Sequence, residues 1–185
     1  MYGKRSVYVL DANYDAYVDA NWPTTLAEPA PPRRGTWVAR PLDASMVATR
    51  AQTVAVRDAV TGTARLWDVR SLDEYEGSTT LPGAARPGRI PWTTRRVDWW
   101  LFRQDDGSWR NVSETRALAA ETFGGATPDD TGPAHIFYCQ SAVRTTQLIF
   151  GLARAGWPLE RLKNYDGSWV EWSHLAAAEE IAIGE

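Results

Sequence analysis

Short apolar runs alternate with helical patterns along most of this chain, and that alternation limits the folds it can adopt. Residues 64–69 and 134–138 are predicted to be buried strands, because each is a short run rich in apolar residues. Helical patterns follow them at residues 71–77 and 143–155. Strands that are separated by helices pair in parallel, and helices then cover both faces of the sheet. The sequence therefore predicts an α/β fold with a parallel sheet flanked by helices on both faces.

A proline-rich stretch, residues 28–35, separates a short first part of the chain from a longer second part. Proline excludes a helix there and favours an extended linker. Before the linker, residues 6–10 are rich in β-type residues and are predicted to form a short strand. The second part is long enough to bury a core of its own, so we divide the chain into residues 1–40 and residues 41–185.

Composition excludes several classes of function. The formal net charge is −3 with acids and bases mixed along the chain, which argues against nucleic acid as the main partner. The longest apolar run, residues 134–139, is far shorter than the roughly 20 residues that span a bilayer. One cysteine and two scattered histidines give no zinc-type constellation, and no glycine-rich nucleotide motif is present. We therefore expect no metal, no cofactor and no membrane partner.

The single cysteine, Cys139, stands where the strand at residues 134–138 turns into the helix at residues 143–155. Backbone N–H groups at the start of a helix lack partners and favour negative charge, so a cysteine held there is biased towards the reactive thiolate. The alternative is an inert thiol packed as a small hydrophobic side chain. The position favours the reactive cysteine. A lone free thiol also suits a reducing compartment, and we expect a cytoplasmic protein.

Four segments together resemble the motifs of one family. They are residues 67–77, which contain Asp68, Arg70, Glu74, Tyr75 and Gly77; residues 87–91, which contain Gly88, Ile90 and Pro91; the loop from Tyr138 to Thr145; and residues 165–172, which contain Asp166, Gly167, Ser168 and Trp169. In this order and spacing they resemble the rhodanese family of thiosulfate and 3-mercaptopyruvate sulfurtransferases. The resemblance covers nearly the whole chain.

The resemblance implies an enzyme that moves a sulfane sulfur from thiosulfate or 3-mercaptopyruvate to cyanide, a thiol or a protein. Cys139 would be the catalytic nucleophile and would carry the sulfur as a persulfide. The loop that follows it would bind the transferred sulfur through backbone N–H groups; its residues are Gln140, Ser141, Ala142, Val143 and Arg144.

The size of this loop separates the proposed chemistry from phosphate chemistry. Loops of the tyrosine-phosphatase type place five residues between cysteine and arginine, whereas only four separate Cys139 from Arg144. A smaller ring of amides suits a single sulfur atom. Ala142 occupies a position where glycine is frequent, which indicates a tight loop if the backbone there needs a positive φ.

Glu74 departs from the family pattern, because many members carry a second arginine at that position. An acid there would repel an anionic donor. Arg144 would then contact the donor, together with Arg86 or Arg89; alternatively, Arg144 pairs with Asp68 or with Glu74 itself. Two further expectations concern neighbouring residues. Asp68 and Arg70 are predicted to connect the active loop to the next turn through charge-assisted hydrogen bonds. Trp169 and Trp172 are predicted to form a wall of the pocket.

The resemblance also accounts for the first part of the chain. It implies that residues 1–40 are the tail of a first rhodanese-like domain plus an interdomain linker, and that residues 41–185 are the catalytic domain. A strand without its sheet leaves backbone edges unpaired. We therefore expect residues 1–40 to pack over the second domain or to associate with another chain. The competing function is a non-catalytic binding or regulatory module, or a half-enzyme that needs such a partner.

Overall fold

A computed structural model describes residues 2–4, 6–58, 62, 64–129 and 131–184. The outer bounds of the two predicted domains, residues 1 and 185, lie outside the described residues. The structure divides into two compact units. The N-terminal unit contains the chain through Asp43 together with Arg103–Arg110, and the sheet unit contains the rest. Within the described ranges, no helix has both the length and the apolar character that a membrane span requires.

The sheet unit is built on five parallel strands, which confirms the predicted α/β fold. The strands are β1 (Val47–Ala48), β2 (Ala64–Asp68), β3 (Arg95–Arg96), β4 (Ala134–Tyr138) and β5 (Leu162–Tyr165), in the order β1-β5-β4-β2-β3. Asp68 is opposite Tyr138 in the register of β2 and β4. The two central strands therefore end together, and Cys139 follows at the carboxyl edge of the sheet, where ligands bind in open α/β folds.

Helices lie on both faces of this sheet. The α-helices of the described residues are α1 (Tyr14–Asp19), α2 (Arg50–Asp58), α3 (Leu72–Glu76), α4 (Val112–Thr122), α5 (Val143–Arg154) and α6 (Ser168–Leu175). Side chains alternate along β4, so Ile136 and Tyr138 face α2 and α6, whereas His135 and Phe137 face the end of α4. Helix α5 packs on the same face as α4 and contacts both α4 and β5.

The predicted tryptophan wall is wrong, because both side chains lie in the hydrophobic core. Trp169 is 1 % exposed and Trp172 is fully buried. Trp172 packs edge-on against Trp92 and Tyr165. The indole N–H of each tryptophan donates to a backbone carbonyl oxygen, so the one polar atom of each ring has a hydrogen-bond partner inside the core.

A buried ion pair holds the carboxyl end of β2. The Arg70 guanidinium donates to both carboxylate oxygens of Asp68 over 2.6–3.0 Å and to the carbonyl of Gly88 at 2.8 Å. Its central carbon lies 4.6 Å from the Trp169 ring centroid and 5.5 Å from that of Tyr138. The pair therefore fixes the next turn against the sheet, as the sequence predicted for an architectural role.

The N-terminal unit does not contain the strand predicted over residues 6–10. Those residues are extended but lie outside any ladder, and Val7 and Tyr8 are 70 % and 91 % exposed. A strand is defined by pairing with a neighbour, and propensity alone does not supply one. None of the described residues from 2 to 43 is buried.

The buried ion pair gives a stability prediction. Asp68→Asn should lower the free energy of unfolding by about 3 kcal/mol, because it leaves the Arg70 charge buried without its counter-charge. Asp58→Asn is the matched control, since Asp58 pairs with Arg57 at 2.7 Å while both side chains remain largely in water; that substitution should leave the unfolding midpoint unchanged. Urea titrations followed by tryptophan fluorescence measure both. Equal losses in the two variants would contradict a special role for the buried pair.

Candidate active site

The loop that contains Cys139 joins the end of β4 to the start of α5. Ala142 is the residue before the helix, and its φ and ψ of 61° and 5° place it in the left-handed region. The positive φ that the sequence left as a condition is therefore present. A non-glycine residue there is strained by roughly 1–2 kcal/mol. Strain of this kind persists only where surrounding contacts fix it, and it concentrates at functional sites.

Ser168 supplies those contacts through a single hydroxyl. Its Oγ accepts the backbone N–H of Cys139 at 3.2 Å and that of Ala142 at 3.1 Å. The same hydroxyl donates to the carbonyl of Tyr165 at 2.8 Å. The hydroxyl of Ser168 therefore uses its one donor position and both of its acceptor positions. Ser168 also has a positive φ of 48°.

The first turn of α6 adds backbone contacts to the same loop. The N–H groups of Trp169 and Val170 donate to the carbonyls of Cys139 and Gln140 at 2.9 and 3.0 Å. On the other side, the Gln140 side-chain amide donates to the carbonyl of Pro82 at 3.1 Å. Sequence analysis included Ser168 in the motif at residues 165–172 but did not predict this clamping role. The available signal was a serine directly after glycine where a strand meets a helix.

The thiol of Cys139 is covered, but its loop is open to solvent. Cys139 is 1 % exposed, whereas Val143 is 68 % exposed and Ser141 is also exposed. The N–H of Ala142 is used by Ser168 and is not free to bind a sulfur atom. In the part of the chain that the structure describes, no acceptor takes the N–H groups of the other four predicted loop residues, Gln140, Ser141, Val143 and Arg144. Such amides can hold an anion.

Arg144 pairs with Glu74, which is one of the two partners left open by the sequence. Its Nη1 and Nη2 donate to Glu74 Oε2 and Oε1 at 2.7 and 2.8 Å, a bidentate arrangement. Burial raises the pKa of Glu74, but the Arg144 hydrogen bonds and charge, helped by Ser71, outweigh it and leave this pKa below its ordinary value. Burial likewise lowers the pKa of Arg144, and Glu74, followed by contact with Cys139, raises it overall.

The structure does not bring the other two candidate arginines to the cysteine. The Arg86 guanidinium donates to the carbonyls of Ser173 and Ala176. The Arg89 guanidinium donates to the carbonyls of Tyr75 and Gly184. Arg144 is thus the cation that contacts Cys139.

The histidines lie away from this chemistry. His135 is 2 % exposed, and its Nδ1 accepts the indole N–H of Trp67 at 3.1 Å within the core. His174 is exposed, with its Nε2 3.1 Å from the carbonyl oxygen of Gly83. Among the residues described, no group of three or more acidic, histidine or cysteine side chains could hold a metal ion.

Comparison with known protein families gives one decisive match. The pattern of the Rhodanese-like domain matches residues 53–175, which contain both central strands and the Cys139 loop. The chain belongs to the rhodanese family. This confirms the resemblance on which the sequence interpretation relied.

Curated rhodanese relatives are longer than this chain. It is 32 % identical over 183 residues to a Haloferax volcanii protein named "Putative thiosulfate sulfurtransferase", an alignment that covers 96 % of this chain and 60 % of the relative. It is 37 % identical over 131 residues to the sulfur carrier protein TtuD of Thermus thermophilus, covering 67 % and 43 %. The chain therefore spans at most about 60 % of the length of these two relatives.

Solved structures share the rhodanese fold at low sequence identity. Wild-type EanB superposes with a TM-score of 0.73 at 24 % identity, over all of this chain and 42 % of EanB. Tum1 from Saccharomyces cerevisiae gives a TM-score of 0.62 at 21 % identity, over 76 % and 47 %. These two likenesses support the fold.

The strained loop gives a second stability prediction. Ala142→Gly should raise the free energy of unfolding by about 0.5–1 kcal/mol, because relief of the left-handed strain exceeds the extra freedom of glycine in the unfolded chain. Ala153→Gly, inside α5, is the matched control and should lower stability by about 1 kcal/mol. Chemical denaturation of the two variants in parallel measures both effects. A loss of stability in both would contradict the strain at Ala142.

Proposed function

We propose that the chain transfers sulfane sulfur through a persulfide formed on Cys139. The observation that carries this proposal is the position of the thiol at the carboxyl end of β4 and beside the Arg144 guanidinium. The loop that begins there has four amides for which the described residues provide no acceptor. Membership of the rhodanese family supports it. The proposed donors are thiosulfate or 3-mercaptopyruvate, and the proposed acceptors are cyanide, a thiol or a protein.

The reaction is a double displacement. The Cys139 thiolate attacks the sulfane sulfur of the donor, and the bond between that sulfur and the rest of the donor breaks. With thiosulfate, the electron pair leaves with sulfite. With 3-mercaptopyruvate, the carbon–sulfur bond breaks, the electron pair leaves as the enolate of pyruvate, and the enolate takes up a proton. An acceptor thiolate or cyanide then attacks the outer sulfur of the persulfide, and the electron pair of the sulfur–sulfur bond returns to Cys139. The two steps as written need no cofactor.

Each proposed role uses groups that already surround the thiol. The N–H groups of Gln140, Ser141, Val143 and Arg144 would hold the negative charge of the outer sulfur. The Arg144 guanidinium, which contacts Cys139, would lie beside the transferred sulfur. A free thiolate must stay reduced between turnovers, so we propose that the protein works in the cytoplasm.

Intact-mass spectrometry tests the persulfide directly. Incubation with thiosulfate or 3-mercaptopyruvate should add one sulfur atom to the wild-type chain, and cyanide should then remove it. Cys139→Ser should stay unmodified under the same conditions, because the other residues provide no thiol. Failure of any sulfane donor to load the wild-type chain would instead favour a non-catalytic module.

A partner-dependent protein is the second candidate, and the N-terminal unit favours it. Twelve large apolar side chains of the described residues from 2 to 42 are exposed, among them Tyr8 at 91 % and Leu26 at 107 %. Apolar surface of this extent marks an interaction site. We propose that residues 1–40 associate with another chain, and that the thiol acts within that assembly.

The association proposal predicts a change of size in solution. Without a partner, an exposed β-type segment such as residues 6–10 pairs with itself, so the wild-type chain should sediment as more than a monomer at micromolar concentration. Val9→Asp should restore the monomer, because a charge opposes burial of that segment. Thr24→Asp, an exposed residue of the same unit, is the control and should leave the association intact. A wild-type chain that stays monomeric would contradict the proposal.

A further inference from the structure

The Glu74–Arg144 pair neutralises the guanidinium that contacts the thiol. Both terminal nitrogens of Arg144 are engaged by the two Glu74 oxygens. The Glu74 side chain is only 4 % exposed, and its Oε2 also accepts from the N–H and the hydroxyl of Ser71. The carboxylate is thus fixed in place, and the pair carries no net charge.

The arginines in the segments that follow β2 keep their charge but are held by other partners. Arg70 is bound to Asp68, and the Arg86 and Arg89 guanidiniums donate to carbonyl oxygens. Arg96 donates to the carbonyl of Arg70 and lies 3.9 Å from Asp98. Arg95 is exposed, but it lies on the edge strand β3, two strands and about 10 Å from β4.

Negative charge is present at the same edge of the sheet. Asp73 is exposed on α3, one residue before Glu74, and Asp166 is exposed at the turn before Ser168. The Cys139 thiolate and these carboxylates therefore repel the thiosulfate dianion more strongly than they repel a donor with one negative charge. Four backbone amides suit one anionic sulfur atom better than a doubly charged group.

We infer that the Glu74–Arg144 pair makes this site selective for persulfide donors, R–S–S⁻, over thiosulfate. The inference rests on the proposed function and adds the class of donor. The Cys139 thiolate attacks the outer sulfur of the donor, the donor's sulfur–sulfur bond breaks, and its electron pair leaves on the thiolate R–S⁻. The transferred sulfur keeps the charge or proton that it carried, so the step needs no oxidant or reductant.

Loading of Cys139 from two donors tests this selectivity. Hydroxyethyl persulfide and thiosulfate are the probes, and quenched intact-mass measurements give the rate of sulfur addition from each. Glu74→Gln leaves Arg144 with an uncompensated charge, so it should raise the thiosulfate rate about tenfold and change the persulfide rate less than about threefold. Glu76→Gln is the matched control, because it removes a carboxylate from the same helix that the repulsion argument does not use and that does not contact Arg144. It should leave the ratio of the two rates close to the wild-type value.

The salt dependence of the wild-type chain gives a second measurement that needs no variant. Two anions that repel each other react faster as salt screens them, so thiosulfate loading should accelerate with ionic strength. In folded Glu74→Gln it should slow instead. Thiosulfate loading that slows with salt in the wild type, or a donor ratio that Glu74→Gln leaves unchanged, would overturn the inference while the proposed function stands. Failure of both donors to load Cys139 would overturn the proposed function and the donor class together.

Discussion

The hydroxyl of Ser168 is the contact on which the geometry of the site depends. It accepts one N–H from each end of the tight part of the loop and donates to the end of β5 through Tyr165. Each such hydrogen bond contributes about 1 kcal/mol, which is enough together to offset the left-handed strain at Ala142. Because Ser168 itself begins α6, the loop, the last strand and the last helix form one mechanically connected group. The thiol is therefore held by three elements of the sheet unit rather than by its own loop alone.

Two ion pairs near the carboxyl edge of the sheet illustrate how burial decides the role of a charge. Asp68 and Arg70 have side chains that are 0 % and 1 % exposed, and the guanidinium is enclosed by aromatic rings. Such a pair fixes the backbone and is closed to a ligand. The Arg144 side chain is 21 % exposed and touches the cysteine, so its pairing with Glu74 sets how much charge a ligand meets. An acid–arginine pair therefore fixes the backbone where it is fully buried, and we infer that it affects the choice of donor where it contacts the cysteine.

Local sequence pattern predicted the part of the fold that places the cysteine. The strand at residues 134–138 and the helix after it follow from short-range rules, and the structure has both of them. Long-range contacts could not be predicted in the same way. The segment 6–10 has the composition of a strand but lacks a neighbour, and nothing local in Trp169 or Trp172 indicates that the core would bury them. Glu74 was expected to repel an anion, and only the fold brings it within reach of Arg144.

The burial of Cys139 is compatible with both an inert thiol and a carrier of sulfur, and the length of a persulfide separates the two. A sulfur–sulfur bond is about 2 Å long, so the transferred atom lies well beyond the attached one and does not share its cover. The loop that would receive it contains exposed Ser141 and Val143 and four amides without an acceptor in the described chain. The start of α5 differs in this respect from the starts of α3 and α4, where the side chains of Ser71 and Asn111 cap the first backbone amides. At α5 the residue in the capping position is Ala142, whose side chain caps nothing, and the anionic sulfur would take the place of that cap.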